Sequence, residues 1–298
     1  MNILITGGTG LIGRHFIKAS EEKHTFTVLT RKPDTANKQL PNSCVYITSL
    51  SELDNLNSFD AVINLAGEPI VDKRWTTTQK RIITESRLET TKQLAALIEN
   101  SADAPKVFIS GSAIGFYGRQ NDQAIDEQFT DVHQEFSHQL CAQWEAAALS
   151  AASVATRVCI LRTGIVLAPN GGALSKMLLP FKLGLGGPIG NGKQYMSWIH
   201  IDDMVKGIQY LLDNPATDGI YNFTAPQPET NKRFAQTLCS ALGRPCLLPM
   251  PSLVLKTLMG EGSDLLIYGQ NVVPKKLLSD GFTFTYPSLP EALENILT

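Results

Sequence analysis

Gly7, Gly10 and Gly13 recur at every third position near the start of the 298-residue chain. That spacing suits a bound pyrophosphate. The first glycine permits a sharp turn, the second lets the backbone approach the phosphates, and the third lets a helix pack close to a strand. A helix beginning there also offers unpaired N–H groups and the positive end of its dipole. Thr9, Leu11 and Ile12 complete the turn, which reads as a dinucleotide cradle; the alternative is an ordinary Gly-rich turn. A second group is Thr30-Arg31-Lys32. An acid at such a point holds the ribose 2′-OH of NAD, whereas a base accommodates the 2′-phosphate of NADP. No acid occurs before Asp34, and Arg31 brings a planar donor fork, so NADP(H) is expected over merely solvated loop charges. Leu65, Ala66 and Gly67, then Glu68, supply small residues where a cofactor's sugar and phosphates would press on a strand end.

Further along stand groups that could transfer a proton. Ser112 could hold a substrate oxygen and Tyr117 could exchange a proton with it; the other reading of Tyr117 is a packing residue beside the cofactor. Ser110, Gly164 and Val166 are expected on the cofactor, the last two near its nicotinamide, and Arg87 could reach the same pocket from a helix. His133, His138 and His200 titrate in the right range. His200, however, precedes Asp202-Asp203, which would serve equally as a helix N-cap. Cys141 and His138 can share a helical face, but Cys141 reads most simply as a small apolar residue. Lys193 and Tyr195, in a glycine-rich loop, could meet an anionic substrate or face solvent.

The elements that must position these groups alternate. Apolar, β-branched runs at 2–6, 25–30, 43–48, 61–65, 106–110 and 155–162 read as buried parallel strands. Helical stretches are expected over 11–22, from a Thr76 or Thr77 cap to about Asn100, and over 132–152. Such alternation builds a Rossmann-type doubly wound parallel sheet in an α/β fold. From Gly164 to Gly192 the chain turns glycine-rich, then resumes with a helix (204–213) and a strand (219–223). The expected division is a dinucleotide-binding domain over 1–224, with 164–200 contributing to the substrate side, and a smaller C-terminal substrate-side lobe over 225–298.

Bulk properties exclude several classes. The net charge of −2 gives no case for nucleic acid or an anionic membrane. No run of residues matches a membrane span, and the apolar start has no basic segment ahead of it, so cytoplasm is the default. Five scattered cysteines without C-x-x-C spacing argue against a disulfide framework and against a metal site.

The pieces Thr6 to Gly13, Asn64-Leu65-Ala66-Gly67, Ser110-Gly111-Ser112 with Tyr117-Gly118, and His200-Ile201-Asp202-Asp203 resemble the extended short-chain dehydrogenase/reductases of the sugar-nucleotide epimerase class. More closely, the chain resembles their atypical epimerase family protein branch. The matching segments are Gly67-Glu68-Pro69-Ile70, Lys73-Arg74-Trp75, Ser86-Arg87, Trp144-Glu145-Ala146-Ala147, Leu161 to Leu167 and Leu178-Leu179-Pro180-Phe181. Gly269-Gln270, Pro274 to Leu278 and Gly281-Phe282 close the pattern. The resemblance implies an NADP(H)-binding fold and a characteristic C-terminal segment. It does not carry over the superfamily's catalytic Tyr-x-x-x-Lys: no tyrosine has a lysine four residues on, and Ser137 and Cys141 stand where the pair would be. The expectation is an NADP(H)-dependent, epimerase-like oxidoreductase on a small polar substrate with a noncanonical proton donor. The competing reading is an NADP(H)-binding sensor with little catalysis. A homodimer through helices flanking the sheet is the one expected assembly.

Overall fold

Alternation along the first strand explains the layering. In β1 (Asn2–Thr6), Ile3 and Ile5 enter one core and Leu4 the other, as a pleat requires. The computed structural model describes residues 1–298, and its centre is a seven-stranded sheet built the same way. The strands are β1, β2 (Thr25–Leu29), β3 (Val45–Ile47), β4 (Ala61–Asn64), β5 (Val107–Ala113), then, past the short β6 (Ala124–Ile125), β7 (Arg157–Thr163). The pairs β8 (Ile165–Leu167) with β10 (Trp198–His200) and β9 (Tyr195–Met196) with β12 (Glu229–Thr230) stand outside the sheet. β11 (Gly219–Phe223) completes it, and β13 (Asn271–Val272) pairs with β6. The order is β11-β7-β5-β4-β1-β2-β3, every neighbour parallel.

The helices are α1 (Leu11–Ser20), the short α2 (Pro33–Asn37), α3 (Thr77–Glu99), α4 (Phe136–Leu149), α5 (Gly172–Lys182), α6 (Ile201–Asp213), α7 (Asn231–Ala241), α8 (Ser252–Met259), α9 (Asp264–Ile267), α10 (Lys275–Ser279) and α11 (Leu289–Leu297), and some of them cover both faces of the sheet. Phe16 and Ile17 of α1 and Met204, Ile208 and Leu211 of α6 bury against one face of the sheet. Leu94, Ala95 and Ile98 of α3 and Ala148 of α4 bury against the other. No helix is long and apolar enough to cross a membrane.

The C-terminal residues divide between two cores. Phe234, Leu238, Leu289 and Leu293 pack with Leu167, Leu174, Phe181 and Trp198, so 164–200 and 225–298 share a cluster apart from the sheet. Leu277, Phe282 and Phe284 instead join the core beneath α1 and α6.

Several boundaries move. α3 is capped by Thr76, whose Oγ1 accepts from the Gln79 N–H at 3.1 Å. α4 starts at Phe136, because the N–H of Val132 turns back to Thr130 and that of His133 crosses to the Tyr117 carbonyl. The glycine-rich stretch contains α5, hidden from a sequence reading by Gly171-Gly172 and an internal Pro180. Finally, the Asp pair does not cap α6. His200 is the N-cap, its Nδ1 accepting from the Asp202 N–H at 3.1 Å. The Asp203 carboxylate instead accepts from the N–H groups of Thr285 (2.7 Å) and Tyr286 (2.9 Å).

Candidate functional site

The cradle forms where β1 meets α1. Gly7 has φ +68°, and a Cβ there would lie 2.4 Å from the Leu65 carbonyl oxygen. A Cβ on Gly13 would lie 2.5 Å from the Gly7 carbonyl, so helix and strand approach as closely as a glycine allows. Gly10 caps α1 without a side-chain acceptor and is itself exposed, which leaves the first N–H groups of the helix available to an anion. Thr6 Oγ1 donates to Asn64 Oδ1 at 2.7 Å and accepts from the Ala66 N–H at 3.3 Å. These bonds fasten the ends of β1 and β4 together and hold Leu65 and Ala66 beside Gly7. Gly171 and Gly172 approach the Leu11 side chain from across the cleft, a Cβ on either falling 3.0–3.1 Å from a Leu11 methyl. Sequence reasoning did not include them in the cradle. Their only local signal was the adjacent glycine pair.

At the end of β2 the Thr30 N–H bonds across to Ile47 in β3, and the Lys32 N–H donates to Thr30 Oγ1. Arg31 and Lys32 project from this turn, exposed and without an ion-pair partner. Two unpaired cations therefore stand one strand away from the cradle, where a 2′-phosphate would project.

Tyr117 is not positioned as a proton donor. The residue is completely buried, and its hydroxyl donates to Asn222 Oδ1 at 2.7 Å and accepts from Arg162 Nη1 at 3.1 Å. Burial also pushes its pKa up, away from neutral-pH exchange. Ser112 is equally committed, its Oγ donating to Glu145 Oε1 at 2.6 Å. Glu145 in turn receives a fork from Arg162 (Nε–Oε1 2.9 Å, Nη2–Oε2 2.8 Å), in a pair whose side chains are 3% and 5% exposed. Arg162 stacks on Phe116, 3.4 Å from the ring centroid. The reason is topological: Ser112 of β5, Arg162 of β7 and Asn222 of β11 are cross-strand partners in register, and with Glu145 of α4 they consume each other's polar groups.

Ser110, expected on the cofactor, lies within β5. It is fully buried and accepts from Asn64 Nδ2 at 3.3 Å. Gly164 lies where a Cβ would stand 2.4 Å from the Ser197 carbonyl, so its smallness serves packing; Val166 packs on the main core, its carbonyl facing Gly172. Glu68 pairs with Lys73 at 3.0 Å, and its N–H donates to Ser86 Oγ. On α4, Ser137 Oγ donates to Glu135 Oε1. Burial pushes the Cys141 thiol up to about 11, and that thiol is neutral at physiological pH. His138 Nδ1 donates to the Phe116 carbonyl. The superfamily's acid–base pair has no replacement on this helix.

Residues 3–223 match the NAD dependent epimerase/dehydratase family. The chain belongs to that family. Residues 250–296 match a domain of unknown function, DUF1731, which coincides with the C-terminal segment expected of the atypical branch. Mouse epimerase family protein SDR39U1 is 38% identical over 301 residues, covering all of both chains. The chloroplastic SDR39U1 homolog of Arabidopsis thaliana is 38% identical, covering all of this chain and 87% of its own. The crystal structure of human epimerase family protein SDR39U1 (isoform 2) with NADPH is 36% identical, covers 99% of each chain and superposes with a TM-score of 0.91.

Proposed function

We propose that the protein is an NADP(H)-dependent oxidoreductase of the epimerase family that acts on a small polar substrate without a Tyr-x-x-x-Lys pair. The observation that carries the cofactor choice is the unpaired Arg31 and Lys32 at the end of β2. The residues fit the cofactor: a pyrophosphate meets the start of α1, which has no side-chain cap, over Gly10, the Gly7 turn packs directly on the Leu65–Ala66 backbone with no side chain between, and the two bases meet a 2′-phosphate. The human relative solved with NADPH supports the same choice. NADPH supplies a hydride when bound. The chain's own contribution is to bind and orient the cofactor over the β1–α1 turn. Its setting is the cytoplasm.

The committed hydrogen bonds of Tyr117 and Ser112 favour a second reading, an NADP(H)-binding sensor. A turnover screen separates the two: NADPH oxidation followed by absorbance against a panel of carbonyl compounds. Turnover with any of them supports the oxidoreductase, and tight NADPH binding without turnover supports the sensor.

A further inference from the structure

Nine of the sixteen large apolar residues that the chain exposes fall in two short stretches, 179–185 and 247–258; the other seven are scattered. Scattered exposure is ordinary, whereas a contiguous apolar patch marks an interaction site. At the end of α5, Leu179, Leu183 and Leu185 are 56–67% exposed. Leu253 and Leu258 of α8 are 72% and 69% exposed, and no residue of that helix is buried. An eight-residue helix is marginal in water and owes its stability to a packed apolar face. Within this chain α8 has no such face.

The two stretches form one surface. The Met250 N–H donates to the Pro188 carbonyl and the Gly190 N–H to the Met250 carbonyl, both at 2.8 Å. A Cβ on Gly187 would lie 2.2 Å from the Leu248 carbonyl oxygen, and one on Gly184 3.9 Å from Pro245. Residues 184–190 therefore run beside 245–250. That contact joins the end of α5 to the start of α8 and adds Leu247 and Leu248, also exposed, to the same face.

Charge decides what covers it. Residues 173–190 and 241–260 contain no Asp or Glu but carry Lys176, Lys182, Arg244 and Lys256. Lys176 pairs with Asp72; the other three are exposed and take part in no ion pair. Lys256 stands three residues after Leu253, on the same side of α8. The net charge of −2 conceals this local excess, because the acids lie elsewhere in the chain. A second copy docked here would set cations against cations, with no acid in either stretch to answer them. An anionic lipid surface answers both features: acyl chains take the leucines, headgroups take the cations, and the lysine stems cross the boundary. We infer that this face seats the protein on an anionic membrane surface, with α8 lying in the interfacial plane. The cytoplasmic leaflet carries charge of that sign. Docking there is independent of turnover at the cofactor cleft.

The test is flotation of the full-length protein with vesicles of phosphatidylcholine containing about one third phosphatidylserine, and with vesicles of phosphatidylcholine alone. The protein is expected to bind the anionic vesicles at least about tenfold more tightly than the neutral ones, and to release as salt is raised. Leu253→Asp/Leu258→Asp abolishes flotation, and Lys182→Glu/Lys256→Glu weakens it at least about tenfold. All four residues are exposed, so both variants keep the wild-type thermal midpoint and NADPH affinity. Absence of flotation overturns the inference, as do equal binding to the two vesicle types and binding indifferent to both variants. Light scattering without vesicles supplies the remaining arm. The assembly state is unchanged by Leu253→Asp/Leu258→Asp; a dimer that this variant splits would assign the face to a second copy and overturn the inference.

Discussion

Glu145→Gln should destabilise the protein far more than a change of one atom type suggests. Glu145 and Arg162 form a two-bond fork at 2.8–2.9 Å, nearly closed to solvent, and Glu145 also accepts from Ser112 at 2.6 Å. The amide keeps the shape but removes the charge, leaving Arg162 buried with an N–H group turned toward its own donors. Breaking a buried pair in this way costs about 3–5 kcal/mol, against a total stability of about 5–15 kcal/mol. The stacking of Arg162 on Phe116 survives the change, which holds the expected loss near the lower figure. Urea unfolding followed by circular dichroism reads the loss directly as a lower midpoint at constant slope. The double variant Glu145→Leu/Arg162→Met should recover most of it, since an apolar replacement of a buried pair is often neutral or stabilising. A loss below about 1 kcal/mol for Glu145→Gln, the range of an exposed pair, would refute the reasoning. So would a double variant no more stable than the single one.

Two further predictions concern groups that looked catalytic. Tyr117→Phe removes the hydroxyl shared by Arg162 and Asn222 and should cost about 1–3 kcal/mol, the penalty for buried partners left unsatisfied. NADPH affinity by calorimetry should not change, and a selective loss of cofactor binding would return Tyr117 to the site. His200 gives a pH signature. Burial pushes its pKa down despite Asp202 and Asp203, and Nδ1 must stay unprotonated to accept from the Asp202 N–H. The unfolded chain therefore binds the extra proton first, and stability falls as pH drops below about 6.5. His200→Asn keeps an N-cap acceptor without the titration, so its stability should vary less with pH over that range than the wild type's, as measured by thermal melts. An identical pH slope in the variant would contradict the role.

What the sequence disclosed was what is decided locally. The β1–α1 cradle is set by glycines within a few residues of each other, and the β2 end by adjacent bases, so both were legible. The alternation of strands and helices likewise predicted the parallel sheet. Side-chain commitments were not legible, because the partners come from far along the chain. Tyr117 looked free until Arg162 and Asn222 were brought to it by the adjacent strands β7 and β11, and Ser112 until Glu145 arrived from α4. Asp203 had the spacing of a cap, yet its carboxylate serves backbone groups at Thr285 and Tyr286. α5 was hidden because Gly and Pro signal a break unless the surrounding core, here Leu174 and Phe181 among residues from 225 onward, overrides them.

The most direct test of the central claim is a calorimetric titration of the protein with NADPH and with NADH, repeated on Arg31→Ala/Lys32→Ala. Both bases are exposed and unpaired, so their removal should leave the fold intact. Tight NADPH binding that weakens at least about tenfold in the variant, with NADH unaffected, is the predicted result, since each charge-assisted phosphate contact contributes about 1.5–3 kcal/mol. Equal affinity for the two cofactors, or NADPH binding indifferent to the double substitution, would contradict it.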